Sequence, residues 1–423
     1  MRHILSIIAC VLLLFSCKKE DSSNRDGENE SPSPATGSRM ELTLDSIFLY
    51  AKQVYLWHDA LPDYQTFAPR QRYSTIKPEF YGYTAALFDL SQRKLNPAGF
   101  PYEQPVISGK PKYSYLTEIG STAEVLAKAN HIANPESTGE PLFWNTADKR
   151  IAYLYVPAFP DLATVSNTWN TAFMQLAAAK TSDLIVDLRN NAGGYVQTAK
   201  YMANLIAPDA LEGKRMFTEV FNTLLQSNKA AILKKQLYRN AAGNTVPYQG
   251  RLATMADVDY SAKANAHYFQ KNGGPNNVQR LYFIVSNQTA SASELLIHIF
   301  RPYLPVTLIG QQTFGKPVGF FPIKIDNYAL YLSSFVLENA QGKADYFNGM
   351  PPDIELANLP KSVTFSVMDP AIAAALTAIG YPLKNSSNAG QRNAAVKSDA
   401  AQVAPIPLLK TQFTLLPAVV ALD

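Results

Sequence analysis

The residues of this sequence best suited to chemistry are a serine, a lysine and a pair of glycines. Ser291 stands among small residues in the run TASASE (Thr289–Glu294), where a predicted buried strand gives way to a predicted helix. Small neighbours leave its hydroxyl unshielded, and the first amides of a helix lack partners within the helix. Such a hydroxyl can act as a nucleophile, because the positive end of the helix dipole can stabilise a developing oxyanion.

A helix cap is the simpler interpretation of the same serine. Ser291 and Glu294 have the Ser-x-x-Glu spacing of a capping box, which begins helices without any catalysis. A serine nucleophile also needs a base, and the histidines of the mature chain stand in no recognisable catalytic setting: His58, His131, His267 and His298. His298 follows Ser291 by two helical turns, roughly 10 Å along the axis, so no direct hydrogen bond is expected.

Lys316 is the better candidate for the base. It follows Gly315 in a turn after a predicted strand, so its amine could reach back over the edge of the sheet. A lysine acts as a base only when it is neutral, which requires burial or nearby positive charge to lower its pKa. Phe314, Val318 and Phe320 would supply an apolar setting. The alternative is an ordinary solvated lysine on the surface.

A glycine pair lies in a third segment, DLRNNAGG (Asp187–Gly194). Gly193 and Gly194 follow the end of a predicted strand, where glycines let the backbone approach another chain or present its amides to an anion. The segment lacks the Gly-x-Gly-x-x-Gly spacing of a dinucleotide site. We interpret Asp187 and Arg189 as a structural ion pair rather than as catalytic groups.

Strands and helices alternate regularly from Arg150 onwards, which predicts an α/β layer architecture. The predicted strands are 151–156, 184–188, 216–221, 281–286, 306–309, 319–325 and 328–337, the last two joined by a hairpin at Asp326-Asn327. The predicted helices are 41–61, 79–90, 121–129, 164–179, 196–206, a helix after Ser291, and 369–379.

Composition excludes several classes of function. A chain of 423 residues exceeds one ordinary core, so two or more domains are expected. Its 38 basic and 34 acidic residues give a net charge of only +4, without the basic block of a nucleic-acid-binding protein. The two cysteines, Cys10 and Cys17, both lie near the N-terminus, which leaves the body of the protein without a disulfide, a cysteine nucleophile or a thiolate metal site.

The N-terminus has the pattern of a targeting signal. Arg2 and His3 precede an apolar run, Ile4–Phe15, that is too short to span a bilayer as a helix. The run ends in LFSC, which resembles the lipobox of bacterial lipoproteins and identifies Cys17 as the residue that would be acylated; an ordinary secretory signal is the alternative. The charged run KKED that follows is similar to the export signals of some Gram-negative surface lipoproteins, although a generic tether would look the same. The expected location is the cell envelope, with a lipid anchor in the outer membrane at its periplasmic face or at the cell surface.

Three motifs and their order resemble the C-terminal processing peptidases, also called tail-specific proteases. They are TASASE, TFGK (Thr313–Lys316) and DLRNN-x-GG, and the 25-residue step from Ser291 to Lys316 agrees with the serine-to-lysine spacing of that family. The run DYFNGMPPD (Asp345–Asp353) is similar to another stretch near the end of its catalytic domain. The resemblance covers about residues 150–380.

The resemblance implies a crotonase-like, ClpP-like spiral catalytic domain that hydrolyses peptide bonds near the C-termini of proteins with a Ser-Lys dyad. Carried over by position, Ser291 would be the nucleophile and Lys316 the general base. Gly193 or Gly194, together with the amide of Ala292, would form the oxyanion hole. No metal or organic cofactor is implied.

Two departures from the family pattern bear on activity and specificity. Many members carry a glutamine four residues after the lysine, where it orients the amine, whereas this chain has Phe320. Gln311, Gln312 or Glu294 could take that role, or it could be absent. The residues from 96 to 142 are short for the PDZ module that many members place before the catalytic core and lack its carboxylate-binding loop. Substrate choice would then fall to the N-terminal domain and an insertion at 224–274.

The expected organisation is a signal peptide (1–17), a flexible linker (18–40), a helical N-terminal domain (41–95), an unassigned region that is a degenerate PDZ domain or a cap (96–147), a catalytic domain (148–383) that contains the insertion, and a C-terminal tail (384–423). The predicted function is a lipid-anchored serine endopeptidase that acts on exported proteins or peptides. A non-catalytic peptide- or ligand-binding lipoprotein with the same fold is the alternative that Phe320 suggests. Acyl chemistry on another ester or thioester is a third hypothesis, against which the Ser-Lys pair argues.

Overall fold

The computed structural model describes residues 33–120, 142–146, 150–178, 181–240, 243–360, 363 and 367–382. Its helices are Arg39–Val54 (α1), Tyr64–Phe67 (α2), Pro69–Tyr73 (α3), Glu79–Ser91 (α4), Leu162–Ala177 (α5), Val196–Ile206 (α6), Thr223–Gln226 (α7), Ala292–Phe300 (α8) and Pro370–Ile379 (α9). Short 3₁₀ turns occur at His58–Ala60, Asp209–Leu211, Ala231–Lys235 and Met255–Asp257. None of the helices in these ranges is long and apolar enough to span a bilayer. The signal peptide, the predicted helix at 121–129 and the C-terminal tail lie outside the described residues.

The strands are Tyr115–Glu118 (β1), Leu142–Asn145 (β2), Ile151–Tyr155 (β3), Asp183–Asp187 (β4), Arg215–Phe221 (β5), Pro247–Tyr248 (β6), Arg251–Leu252 (β7), Ala266–Tyr268 (β8), Arg280–Val285 (β9), Val306–Gly310 (β10), Val318–Gly319 (β11), Pro322–Ile325 (β12), Tyr328–Tyr331 (β13), Phe335–Asn339 (β14) and Ile354–Glu355 (β15). They form a six-stranded, a four-stranded and a three-stranded sheet, and β6 pairs only with β7 among the described strands.

The six-stranded sheet forms the centre of the molecule, in the order β15-β10-β9-β4-β3-β2. Its strands run parallel except β2, which is antiparallel to β3. β3 (IAYLY) and β9 (RLYFIV) are almost continuously apolar, as strands buried on both faces must be. Successive side chains point to opposite faces, so Ala152 and Leu154 enter one hydrophobic core while Ile151 and Tyr153 enter the other.

Helices cover both faces of this sheet. α5, α6 and α8 contribute Trp169, Met202 and Leu295 to the core on one face, and α9 contributes Ile372 and Leu376 to the core on the other. The predicted α/β class is therefore confirmed, and the structure adds that the central sheet is mainly parallel. The carboxyl ends of β4 and β9 lead into the glycine pair and into the serine, respectively, so the topology places both segments at one edge of the sheet.

Two smaller sheets extend the molecule beyond the central one. One has the order β11-β14-β5-β8, and the other has the order β1-β13-β12. The first takes β8 from the insertion at 224–274, and the second takes β1 from the region 96–147 that no sequence pattern assigned. A strand from each of these two segments is thus paired with a strand from outside it, β8 with β5 and β1 with β13.

The last two predicted strands are only partly right. The hairpin at Asp326-Asn327 is present between β12 and β13, but each predicted strand is split in two, and the halves belong to different sheets. In the second of them the break falls at Ser333, whose amide donates to Ser114 Oγ (3.1 Å) and whose carbonyl accepts from the Leu56 amide (2.7 Å). Because these backbone groups are satisfied outside the sheet, the ladder ends there.

The helices α1–α4 form the predicted helical N-terminal region. Leu44, Ile47 and Phe48 on one side of α1 are fully buried, with the three-and-four spacing of an amphipathic helix. Their hydrophobic core continues without a break into the sheets. Asn222, which follows β5, donates through Nδ2 to Tyr55 O (2.9 Å). The N-terminal region is therefore docked tightly on the strands that it contacts.

Candidate active site

Ser291 begins α8 in a backbone conformation that few residues other than glycine adopt. Its φ is 56° and its ψ is −115°, and such a conformation costs on the order of 1–3 kcal/mol. Its amide donates to Glu294 Oε2 (2.9 Å), and its carbonyl accepts from the Leu295 amide (2.8 Å). The carboxylate half of the predicted capping box is present, and the partly exposed serine stands on a firmly held turn.

Gly193 packs directly against the turn that carries the serine. Its φ is 101°, and an added Cβ would lie 2.7 Å from Ala290 O and 2.9 Å from the amide nitrogen of Ala292, so only glycine fits. Two hydrogen bonds to Asn191 O also join the segments, from the Ala290 amide (3.1 Å) and from the Ser293 hydroxyl (3.0 Å). The glycine pair and the serine, far apart in sequence, thus form one site.

Two backbone amides beside the serine are available to an anion. Gly193 N is not one of them, because it donates to Asn191 Oδ1 (2.9 Å). Among the described residues, the amides of Gly194 and Ala292 donate to no protein acceptor. Gly194 is held against Phe159, whose carbonyl oxygen would lie 2.0 Å from a Cβ at this position. Gly194 and Ala292 are therefore the pair that could bind a developing oxyanion.

One buried carboxylate binds the backbone of both the serine and the lysine. Glu294 is fully buried, and its Oε2 accepts from the amides of Ser291 (2.9 Å) and Lys316 (2.8 Å). Its Oε1 accepts from the Gly315 amide (2.7 Å) and the Thr313 hydroxyl (2.5 Å). Burial raises the pKa of this carboxyl, and the hydrogen bonds oppose that rise. A single side chain therefore fixes the turn at Ser291 (the serine turn) and the loop Thr313–Lys316 (the lysine loop) against each other.

Lys316 is almost completely buried. Only 6% of the residue is exposed, and its Nζ lies 4.5 Å from the centre of the Phe320 ring. Burial lowers the pKa of the amine to about 7, and the negative charges of Glu103 and Glu294 partly offset that effect. Near neutral pH a large fraction of this amine is therefore uncharged and can accept a proton.

Glu103 belongs to the site although no sequence motif revealed it. It is fully buried and accepts from the amides of Tyr113 (3.0 Å) and Ser114 (2.7 Å). It also accepts from the hydroxyl of Ser333 (2.9 Å). Of the neighbouring charges, Glu103 most strongly raises the pKa of Lys316. The local signal that could have found it is an acidic residue inside the aromatic and proline-rich run FPYEQP.

The segment that carries Glu103 also contacts the lysine loop directly. Tyr113 donates through Oη to Gly315 O (2.6 Å). The Tyr115 ring packs edge-on against Phe320, with 5.4 Å between the ring centres. Residues 103–115, which belong to the region predicted to be a degenerate PDZ domain or a cap, thus supply a wall of the site.

The three side chains proposed to replace the missing glutamine have different hydrogen-bond partners in the structure. Gln311 and Gln312 donate to backbone carbonyls of the 348–357 segment. Glu294 reaches the lysine loop, but there it accepts hydrogen bonds from the backbone amides of Gly315 and Lys316. Phe320 itself faces the ammonium group with its ring, which attracts a cation but offers no lone pair for a hydrogen bond. The orienting hydrogen bond is therefore made by none of the three polar side chains that the sequence suggested.

Asp187 and Arg189 form the structural ion pair that the sequence indicated. Arg189 is fully buried, and its guanidinium binds Asp187 Oδ2 (2.6 Å) and Asp369 Oδ2 (2.9 Å). The Tyr153 hydroxyl also donates to Asp187 Oδ2 (2.7 Å). This network joins β3, β4 and the start of α9 below the loop that leads to the glycine pair.

The histidines that the structure describes make structural contacts. His298 is buried with Nε2 at 2.6 Å from Lys343 O, and burial lowers its pKa. His267 lies on β8 with Nε2 at 3.0 Å from Glu219 Oε1. His131 lies outside the described residues. Within the described part of the chain, no group of three or more His, Cys, Asp or Glu side chains could hold a metal ion.

Residues 150–356 match the sequence model described as Peptidase family S41. The matched range begins just before β3 and ends just after β15, so it contains the glycine pair, the serine turn and the lysine loop. No curated protein sequence matches the chain significantly.

Several solved structures are similar to this chain at low sequence identity. A candidate S41 protease from Bacteroides fragilis NCTC 9343 is 17% identical over 79% of this chain and 97% of its own, with a TM-score of 0.48. A lipoprotein from Streptococcus agalactiae is 17% identical over 77% of this chain and 94% of its own, with a TM-score of 0.47. The photosystem II D1 C-terminal processing protease is 14% identical over 77% of this chain and 96% of its own, with a TM-score of 0.46.

Proposed function

We propose that this chain, whose residues 150–356 match the model of peptidase family S41, is a serine peptidase in which Ser291 is the nucleophile and Lys316 the general base. The observation that carries the proposal is the Glu294 carboxylate, which binds the amides of both residues at once. The lowered pKa of Lys316, about 7, supports the same roles, because a base must be partly neutral at the working pH.

In the acylation step, the neutral Lys316 amine accepts the proton of the Ser291 hydroxyl while Oγ attacks the carbonyl carbon of the scissile peptide bond. The amides of Gly194 and Ala292 donate to the oxyanion of the tetrahedral intermediate. The intermediate collapses when the Lys316 ammonium gives its proton to the leaving amine, which releases the C-terminal fragment and leaves an acyl-serine.

Deacylation repeats these roles with water. Lys316, neutral again, accepts a proton from a water molecule that attacks the acyl carbon, and the second tetrahedral intermediate uses the same two amides. Its collapse returns the proton to Ser291 and frees the carboxyl product. Every proton transfer is assigned to a side chain of the site, and no metal or organic cofactor takes part.

The proposed substrates are exported proteins or peptides that are cleaved near their C-termini. We place the enzyme in the cell envelope, attached through an acyl chain on Cys17, because the N-terminal run ends in the lipobox-like LFSC. Cys17 lies outside the described residues. The outer membrane, at its periplasmic face or at the cell surface, is the compartment that we propose.

A serine-directed fluorophosphonate or β-lactone probe tests the nucleophile. We expect the folded protein to be labelled once, at Ser291 by peptide mapping, with the label lost in Ser291→Ala and weakened in Lys316→Ala. Ser227→Ala is the matched control, because Ser227 is an exposed serine outside the site and its loss should leave labelling unchanged. Folded protein that takes no label and cleaves no peptide between pH 7 and 9 would rule out the catalytic assignment.

A non-catalytic peptide-binding protein is the second candidate function, and Phe320 is the observation that favours it. A ring 4.5 Å from Nζ attracts the ammonium form of Lys316 and so opposes its use as a base. This candidate predicts saturable peptide binding without turnover, unchanged in Ser291→Ala. Acyl chemistry on a thioester would instead show itself as faster turnover of thioester than of peptide substrates.

Glu103→Gln is expected to move the rising limb of the kcat/KM profile to lower pH. The Glu103 charge raises the pKa of Lys316, so its removal lowers that pKa and leaves more neutral amine at acidic pH. We also expect the plateau to fall by roughly tenfold, because small displacements of a general base are costly. The measurement is kcat/KM for one peptide from pH 5 to 9.

Glu118→Gln is the control for this experiment, since Glu118 ends β1 on the exposed side of the same segment. Its profile should overlay that of wild type. A purely structural role for Glu103 would lower the plateau without moving the limb, and a limb that moves to higher pH would contradict the assigned charge effect.

A further inference from the structure

A cleft of about 180 Å³ opens beside the lysine loop, and we infer that it is a subsite for a carboxylate of the substrate, held by the ammonium group of Lys112. The inference rests on the proposed peptidase function and adds to it a chemical group that the substrate must carry. The Lys112 cleft is lined mainly by Tyr102, Gln104, Val106, Lys112, Phe347 and Asn348.

The cleft adjoins the proposed general base. Phe347 forms part of its wall, and a Cβ added at Gly315 would lie only 2.5 Å from Phe347 O. Gly315 directly precedes Lys316 and is bound through its own amide to the Glu294 carboxylate (2.7 Å). The cleft and the proposed general base are therefore joined through Gly315, one residue before Lys316.

Lys112 has a positive charge that the described protein groups do not neutralise. Its Nζ donates to Phe347 O (2.7 Å) and lies 5.2 Å and 5.0 Å from the ring centres of Tyr113 and Phe314. No carboxylate of the described residues forms an ion pair with it. Burial lowers the pKa of this amine, and the more distant Glu294 only partly offsets that effect. A half-buried ammonium without a counter-charge is costly, and an anion bound in the cleft would remove that cost.

The remaining walls fit a carboxylate that is attached to an apolar residue. The exposed side chains of Gln104 and Asn348 carry amide groups that can donate to a second carboxylate oxygen. Tyr102 is stacked on Trp57 with ring centres 4.9 Å apart, and it packs edge-on against Phe347 at 4.8 Å. These contacts hold an apolar wall rigid, so binding does not have to order it.

A peptide offers such a carboxylate either at its C-terminus or on an aspartate or glutamate side chain. Three internally quenched peptides with a common sequence separate these sources. The first ends in a free carboxylate, the second in a carboxamide, and the third carries one additional aspartate before a carboxamide. We expect the free acid to exceed the plain amide by at least about tenfold in kcat/KM, mainly through KM. If the aspartate peptide also has a higher kcat/KM than the plain amide, the cleft accepts any carboxylate. If only the free acid has a higher kcat/KM, the cleft is specific for the C-terminal carboxylate. Equal values for all three peptides overturn the inference.

Variants of Lys112 tie the preference to this side chain. In Lys112→Met the acid-to-amide ratio should fall to about one, whereas Lys112→Arg, which keeps the charge, should retain most of it. Lys110→Met is the matched control, because Lys110 is exposed outside the cleft, and its ratio should equal that of wild type. A preference that survives in Lys112→Met overturns the inference, and the comparison of the three peptides on wild-type enzyme stands even if that variant does not fold.

Peptide binding to Ser291→Ala protein separates the subsite from the catalytic proposal. Fluorescence anisotropy with labelled free-acid and amide peptides measures the preference without turnover. Tighter binding of the acid in the absence of any cleavage by wild type supports the subsite and rejects the peptidase. Cleavage by wild type without a preference in either measurement supports the peptidase and rejects the subsite.

Discussion

Replacing Ser291 with alanine is expected to lower kcat/KM for peptide hydrolysis by roughly 10⁴- to 10⁶-fold, the loss that follows removal of a serine nucleophile. Alanine has no oxygen with which to attack a carbonyl carbon. The hydrogen bonds that hold the turn use the backbone of residue 291, so they remain in the variant. The protein should therefore keep the Tm of wild type and still bind peptide. Steady-state kinetics and thermal unfolding on the same preparations check this prediction.

The surface variant Ser227→Ala controls for effects of the serine-to-alanine change itself. Its hydroxyl donates to Thr223 O within its own helix turn (2.6 Å), so its loss should leave kcat/KM at the wild-type value. Hydrolysis by Ser291→Ala within about tenfold of wild type would place the chemistry on another residue.

The second large effect is expected at Lys316. In wild type, kcat/KM should rise with pH through an apparent pKa of about 7 and then level off, because burial lowers the pKa of the amine and the neutral form is the base. Lys316→Met should lower the plateau by roughly 10²- to 10⁴-fold and abolish this limb, since the thioether cannot accept the proton. Methionine has nearly the length of lysine and suits the buried site, so folding should persist.

Two further lysine variants make this result specific. Lys316→Arg should be as inactive as the methionine variant, because a guanidinium stays protonated over the whole pH range. Lys324→Met on the exposed side of β12 should keep both the plateau and the limb. If the limb near pH 7 persisted in Lys316→Met, the ionisation would belong to a different group.

The central sheet and the positions of the serine turn and the glycine pair could be predicted because their signals are local. Strands such as β3 and β9 are apolar runs bounded by turn residues, and parallel strands bring their carboxyl ends to one edge. The sequence could not decide between the amides of Gly193 and Gly194. That choice depends on the side chain of Asn191, which occupies the Gly193 amide in the folded protein.

Glu103 and Lys112 could not be predicted because their surroundings come from distant parts of the chain. β1, which follows them, pairs Tyr115 with Tyr331, and Glu103 is bound by the hydroxyl of Ser333. The local sequence around a residue does not show which distant part of the chain it will contact. The same contacts explain why the predicted strand through Ser333 is broken, since its backbone binds to the N-terminal half of the chain.

The docking of residues 103–115 on the lysine loop has a consequence for the protonation state of Lys316 before folding is complete. This segment contacts the loop through the Tyr113 hydroxyl and the Tyr115 ring, and it helps to enclose an amine whose lowered pKa comes from burial. In a chain in which the segment has not docked, the amine meets water and stays protonated at neutral pH. Under the proposed mechanism, the general base therefore becomes available only once this segment has docked, so catalytic competence would depend on completed folding.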